Sequence, residues 1–107
     1  MITTGFIGDT ETTIVAGTSG NLIAVGSWFF KNSDIETRTV TLYRYSTGST
    51  AEDETAFLTF DVPTSDTWDM FSESSSKHFL EEGDIITAVC DVANKVSFNV
   101  NYVKKVV

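Results

Sequence analysis

One cysteine, one proline and one histidine stand in 107 residues, and each scarcity removes a class of protein. The single thiol, Cys90, cannot close an intrachain disulfide, which excludes a disulfide-stapled extracellular scaffold. Cys90 and His78 between them lack the ligands of a zinc site and the members of a Cys/His nucleophile pair, so no metal, cofactor or catalytic residue is expected. Basic residues are few as well: 7 Lys and Arg face 15 Asp and Glu, a net charge of −8. Such a surface repels phosphate backbones and anionic lipid, so neither nucleic acid nor a membrane is an expected partner. Met1–Phe6 has neither a basic region nor an unbroken apolar run, so no export signal or anchor is expected and the chain reads as made in the cytoplasm. No stretch repeats apolar residues at helical spacing over three capped turns, so little or no helix is expected.

What is present is alternation. Leu80 to Val103 reads as a β-hairpin, with Ile86, Ala88, Cys90 and Val92 on one strand, Val96, Phe98, Val100 and Tyr102 on the next, and Asp91–Lys95 between them. Earlier strands are read at Thr12–Ala16, Leu22–Lys31, Arg38–Ser46 and Phe57–Val62, with shorter extended pieces at Trp68–Phe71 and His78–Leu80. Leu22–Lys31 is almost continuously apolar, as expected of a strand covered on both faces or bulged near Gly26. Pro63 ends the Phe57 strand because it cannot donate a ladder hydrogen bond, and Gly83 is free to take positive φ in the turn before Ile85. Residues 1–107 are long enough for one core and too short for two. The expected class is all-β: one antiparallel β-sandwich or jelly-roll-like barrel of about seven to eight short strands.

Chemistry is harder to find than fold. Asp66–Asp69 and Glu81–Asp84 lack the spacing of a calcium loop and read as solvated turns. Among fifteen acids some pair always looks suited to glycoside hydrolysis, so that signal has no weight alone. Between Glu52 and Asp84 ten acids face Lys77 alone, which serves solubility or meets a basic partner. Cys90 falls on the apolar alternation and reads as a small buried hydrophobe, and Trp28 reads as core. Trp68, set among Asp66, Thr67 and Asp69, is the candidate for a half-exposed ring that could stack on a sugar. Opposite the core face stand Tyr43, Tyr45, Phe57, Ile85 and Val89, a candidate contact surface for another chain unless a loop such as 47–55 covers it.

The order of several segments is informative: Glu11–Val15, Ile23–Asn32, Thr39–Tyr43, the Leu80-Glu81-Glu82-Gly83-Asp84 turn with Ile85 and Ile86, and Val96–Val100. Together they resemble a family of small β-sandwich virion proteins of tailed bacteriophages, over roughly Glu11 to Val103. A Pro-Ala-Gly-like turn common after that family's first strand is replaced here by Ala16-Gly17-Thr18-Ser19-Gly20. The resemblance implies a non-enzymatic building block of the virion, present in many copies as a head decoration or cement subunit or at the neck and tail. It also implies a homo-oligomer, a trimer or other ring, that touches the major capsid protein or a neck or tail protein. The rival expectation is a carbohydrate-binding module that recognises a bacterial surface glycan through Trp68.

Overall fold

The computed structural model describes residues 1–64, 67–69 and 78–106, without the side chains of 67–69 and 78. Strands account for most of them: β1 Ile2–Phe6, β2 Thr12–Ala16, β3 Asn21–Asn32, β4 Arg38–Tyr45, β5 Ala56–Val62, β6 Thr67–Asp69, β7 His78–Leu80, β8 Ile85–Cys90 and β9 Val96–Val106. No helix occurs among the described residues. One sheet runs β1-β9-β3-β6, with β7 also on β3, and the other runs β2-β8-β4-β5. Every pairing is antiparallel. Because β9 occupies one edge of β3 along its whole length, β6 and β7 share the other edge, so nine strands fill eight positions.

This order is that of a jelly roll. β4 and β5 form a hairpin, and moving outward along the chain β3 pairs β6 and β7, β2 pairs β8, and β1 pairs β9. The chain is one long hairpin, wrapped so that β3 meets β9 and β4 meets β8. The two sheets face each other and bury Trp28, Phe30, Leu42, Leu80, Ile86 and their neighbours between them. Phe30 of one sheet and Phe60 of the other meet across the core with ring centroids 5.1 Å apart and planes tilted by 55°.

Two expectations are corrected. β8 and β9 are not a hairpin, because β8 belongs to one sheet and β9 to the other, and the intervening loop crosses between them. Ile86, Ala88, Cys90, Val96, Phe98 and Val100 do all enter the core, from opposite sides. Alternation reports which face is buried, and carries no information about which strand lies alongside. The second correction is β1, read from sequence only for export signals. Its inward positions hold Thr3 and Gly5, and its apolar residues Ile2 and Phe6 face solvent, so the usual pattern is inverted.

Bulges account for the remaining breaks in alternation. The β2–β8 register shifts between Thr13 and Val15, which lets both Ile14 and Val15 enter the core. In β3 the shift between Val25 and Ser27 leaves Gly26 as the extra residue, where the sequence places a bulge. Trp28 and Cys90 are buried, Gly83 has φ of 89°, and β5 stops at Val62 before Pro63, all as the sequence indicates.

Gly17 is required by a close approach. A Cβ there would sit 1.8 Å from the carbonyl oxygen of Glu81, while the Gly17 N–H donates to the Asp84 carbonyl at 2.8 Å. At Gly26 a Cβ would meet only the Asn101 carbonyl oxygen, at 3.6 Å. Gly17→Ala is therefore expected to destabilise the fold by about 1–3 kcal/mol or more, since both clashing groups are backbone. Gly26→Ala is expected to stay within about 0.5 kcal/mol of the parent. Urea midpoints of the two variants check the contrast, and equal midpoints would refute the assigned approach.

Candidate interaction surfaces

The outer face of the β2-β8-β4-β5 sheet carries most of the residues the sequence nominates. Cross-strand register sets Tyr45 beside Ile85, Tyr43 beside Thr87 and Thr41 beside Val89, so Tyr43, Tyr45, Ile85 and Val89 lie on one face. All four are half-buried. Phe57 does not join them. The β4–β5 register shifts between Leu42 and Tyr43, Phe57 is the extra residue on β5, and its side chain packs against the core.

The centre of this face is polar. Glu11, from the loop before β2, places Oε2 2.5 Å from the Tyr45 hydroxyl and 2.7 Å from the Thr87 hydroxyl, both of which donate to it. Thr87 is buried beneath this bridge. The hydrogen bond to the Glu11 carboxylate raises the Tyr45 phenol above its ordinary range, and burial and the nearby negative charge act in the same direction. Glu11 carried no signal in the sequence as a member of this surface, because it reaches there from outside the strand pattern.

The outer face of the β1-β9-β3 sheet is the more apolar one. Ile2, Phe6, Phe29, Phe79 and Val103 are all exposed there, from 41% for Phe29 to 65% for Ile2 and Val103. Register brings them together: Ala24 lies between Val103 and Phe79, Asn99 lies between Thr4 and Phe29, and Ser97 lies between Phe6 and Lys31. Lys31 and Lys105 occupy the same face at opposite ends of the β3–β9 ladder, and Asp69 of β6 is the register partner of Phe29. Phe29 was legible in principle, since burial of Trp28 and Phe30 sends the residue between them outward. Ile2 and Phe6 were not, because β1 itself was missed.

Two loop regions frame these faces. Near β8, Asp84 accepts from the Ser46 hydroxyl at 2.5 Å and the Glu81 N–H at 3.0 Å, and these two bonds hold its carboxyl below the usual range. Beside it an open cavity of about 450 Å³ is lined by Gly20, Asn21, Leu22, Glu81 and Glu82. At the far end of β3 the buried Asn32 side chain donates to the carbonyls of Glu36 at 2.8 Å and Val62 at 2.9 Å, and accepts from the Asp34 N–H at 2.8 Å. Arg38 then meets Asp34 at 2.7 Å, Glu36 at 2.7 Å and Asp91 at 3.4 Å. The Ile35 N–H donates to the Asp34 carboxylate at 2.7 Å, and this bond and Arg38 lower the Asp34 pKa.

Among the described residues neither face assembles reactive groups. Burial pushes the Cys90 thiol up, away from thiolate. Among the described residues no group of three or more His, Cys, Asp or Glu is placed to hold a metal ion. No described helix is long and apolar enough to cross a membrane. Asp66 and the side chains of Trp68 and Asp69, where a sugar platform was expected, lie outside the described residues. No family model, curated protein or solved structure matches the chain.

The Glu11 bridge is open to direct test. Glu11→Ala is expected to lower the Tyr45 titration toward that of a free phenol, followed by ultraviolet difference spectra. With the bridge intact the folded phenol pKa exceeds the unfolded one. Its contribution to stability is therefore whole below the ordinary phenol range and is lost as pH rises through the raised value. An alkaline unfolding profile unchanged by Glu11→Ala would count against the bridge.

Proposed function

We propose that this chain is a non-enzymatic structural subunit of a tailed-phage particle, carried in many copies at the head surface or at the neck and tail. The observation that carries the reading is the exposed apolar face made by Ile2, Phe6, Phe29, Phe79 and Val103 on four neighbouring strands. Large apolar side chains exposed together on one sheet face, here set among Thr4, Ser97, Asn99 and Asn101, mark a contact with another chain, and the ordered motifs from Glu11 to Val100 supply the likeness to virion β-sandwiches.

Magnitudes favour repetition over a single tight complex. Each of these side chains gains about 1.5–3 kcal/mol on full burial, and all are already partly covered, so the face as a whole offers several kcal/mol. Association costs an estimated 4–15 kcal/mol in lost freedom of motion. One such contact is weak by itself. Copies already joined to one another would bind a particle through several such contacts while losing freedom of motion once, and that joining is what would keep a small subunit of this kind bound. The acidic surface, net −8, keeps free subunits soluble until they find a particle.

Quantitative mass spectrometry of purified phage particles is expected to find the chain in multiple copies per particle. Its absence from particles would overturn the proposal. A saturable change of tryptophan fluorescence with bacterial surface saccharides, together with absence from particles, would establish the carbohydrate-binding module instead.

A further inference from the structure

β1 is a sheet edge whose open backbone groups can be assigned residue by residue. The Met1 amine donates to the Tyr102 carbonyl at 2.6 Å, the Tyr102 N–H donates to the Met1 carbonyl at 2.8 Å, and the Ile7 N–H donates to the Val96 carbonyl at 2.9 Å. In an antiparallel ladder the bonding direction alternates along the strand, so Met1, Thr3, Gly5 and Ile7 aim their amides and carbonyls at β9. Ile2, Thr4 and Phe6 aim theirs the other way. Among the described residues no strand lies on that side.

The placement of these open groups is symmetric about Thr4, and that symmetry names the strand that fits. Laid antiparallel against β1 of a second copy, Thr4 faces the second copy's Thr4 and Ile2 faces its Phe6. Each of these facing pairs exchanges two hydrogen bonds, so no amide or carbonyl of Ile2, Thr4 or Phe6 stays open. A shift of two residues in either direction leaves Ile2 or Phe6 unpaired. The two-fold axis of an antiparallel pair stands perpendicular to the sheet, so both copies keep the same face outward. Each Ile2, 65% exposed, then lies across from a Phe6, 54% exposed, while Thr3 lies across from Gly5 on the inner side. No charged side chain of β1 enters the contact. Other edges of a second copy fit worse: β5 would bring Asp61, and the bulge in β2 breaks the spacing of its bonding groups.

We propose that two copies of this chain join edge to edge through β1, antiparallel and with Thr4 at the two-fold axis, so that their larger sheets become one continuous sheet. The contact uses the same strand on both copies and therefore closes at two. It rests on the edge alone and goes beyond the particle reading, for which it supplies copies already joined.

Cysteine cross-linking of the purified full chain reads the register. Cys90 is buried and is the only cysteine, so a thiol placed on β1 reports by itself. Thr4→Cys is expected to give a covalent dimer on mild oxidation, because facing residues of such a pair stand about 5.5 Å apart between Cα atoms, within disulfide reach. Ile2→Cys alone and Phe6→Cys alone are each expected to cross-link about tenfold more slowly or less, and an equimolar mixture of the two is expected to recover the rate. Sedimentation velocity over a concentration series gives the second measurement. The parent is expected to pass from monomer to dimer and no further. Thr4 is exposed, so its variants should keep the parent's β circular dichroism. Thr4→Lys sets like charges face to face and should weaken the dimer about tenfold or more, whereas Thr4→Val should dimerise like the parent. A parent that stays monomeric throughout, a Thr4→Lys that is folded and dimerises undiminished, or an Ile2→Cys that cross-links alone as fast as Thr4→Cys would overturn the proposal. The cysteine series decides the matter even where Thr4→Lys does not fold. A monomer that is nonetheless found in particles would refute this contact and leave the virion reading standing, whereas a dimer of a chain absent from particles would do the reverse.

Discussion

The fold depends on one pair of the chain's crossings between the sheets. Between β1 and β2 the chain leaves one sheet for the other, and between β8 and β9 it returns, the two passages running side by side. Their backbones are joined: the Ile7 N–H donates to the Val96 carbonyl at 2.9 Å, the Asn94 N–H to the Ile7 carbonyl at 3.0 Å, and the Cys90 N–H to the Gly8 carbonyl at 2.9 Å. Ile7 itself is fully buried where the sheets diverge. Without this junction each passage would leave buried amides unpaired, and each such group costs about 1–3 kcal/mol. Asn94 makes the return by adopting φ of 61°, a left-handed conformation that asparagine tolerates better than most residues.

Everything peripheral is arranged around that closed framework. The β3–β9 ladder, from the Asn21–Val106 pair to the Asn32–Val96 pair, fixes which residues of the larger sheet look outward. The β4–β8 ladder does the same for the smaller sheet. A slip of one residue in either would exchange core for surface, so the identity of each outer face follows from the inner one. The smaller sheet uses its outer face to hold a polar bridge, Glu11 with Tyr45 and Thr87, and is thereby partly closed. Among the described residues the larger sheet has no such bridge over Phe29, Phe79 and Val103.

Much of this was legible in the chain and some was not, for identifiable reasons. Period-two alternation located the strands from Thr12 onward, with their buried faces, the Gly26 bulge and the Gly83 turn. It could not show that β8 and β9 sit in opposite sheets, because Ile86 and Val96 point at the same core from either direction. It missed β1, whose inward residues are Thr3 and Gly5. The reason for Gly5 is visible only in three dimensions, where a Cβ would approach the Phe98 ring to 3.2 Å. Phe57 was assigned to the wrong face because a bulge shifts parity, and Glu11 joined its surface from a loop that no periodicity describes.

The exposed face acquires its meaning from the edge it borders. Among sheet edges, β2 is interrupted by a bulge, β5 carries Asp61, and the far side of β3 is covered by short pieces. β1 has no charge, proline or bulge among Ile2–Phe6, and it turns Ile2 and Phe6 outward on either side of Thr4. Sheets ordinarily blunt such an edge, because its unpaired amides and carbonyls recruit other strands indiscriminately. Here the remaining defence is electrostatic: a chain of net −8 repels its own copies at short range. An unblunted edge beside exposed Ile2, Phe6 and Phe29 is costly to leave in water, and it sets this side of the larger sheet apart from the smaller sheet, whose outer face Glu11 partly closes.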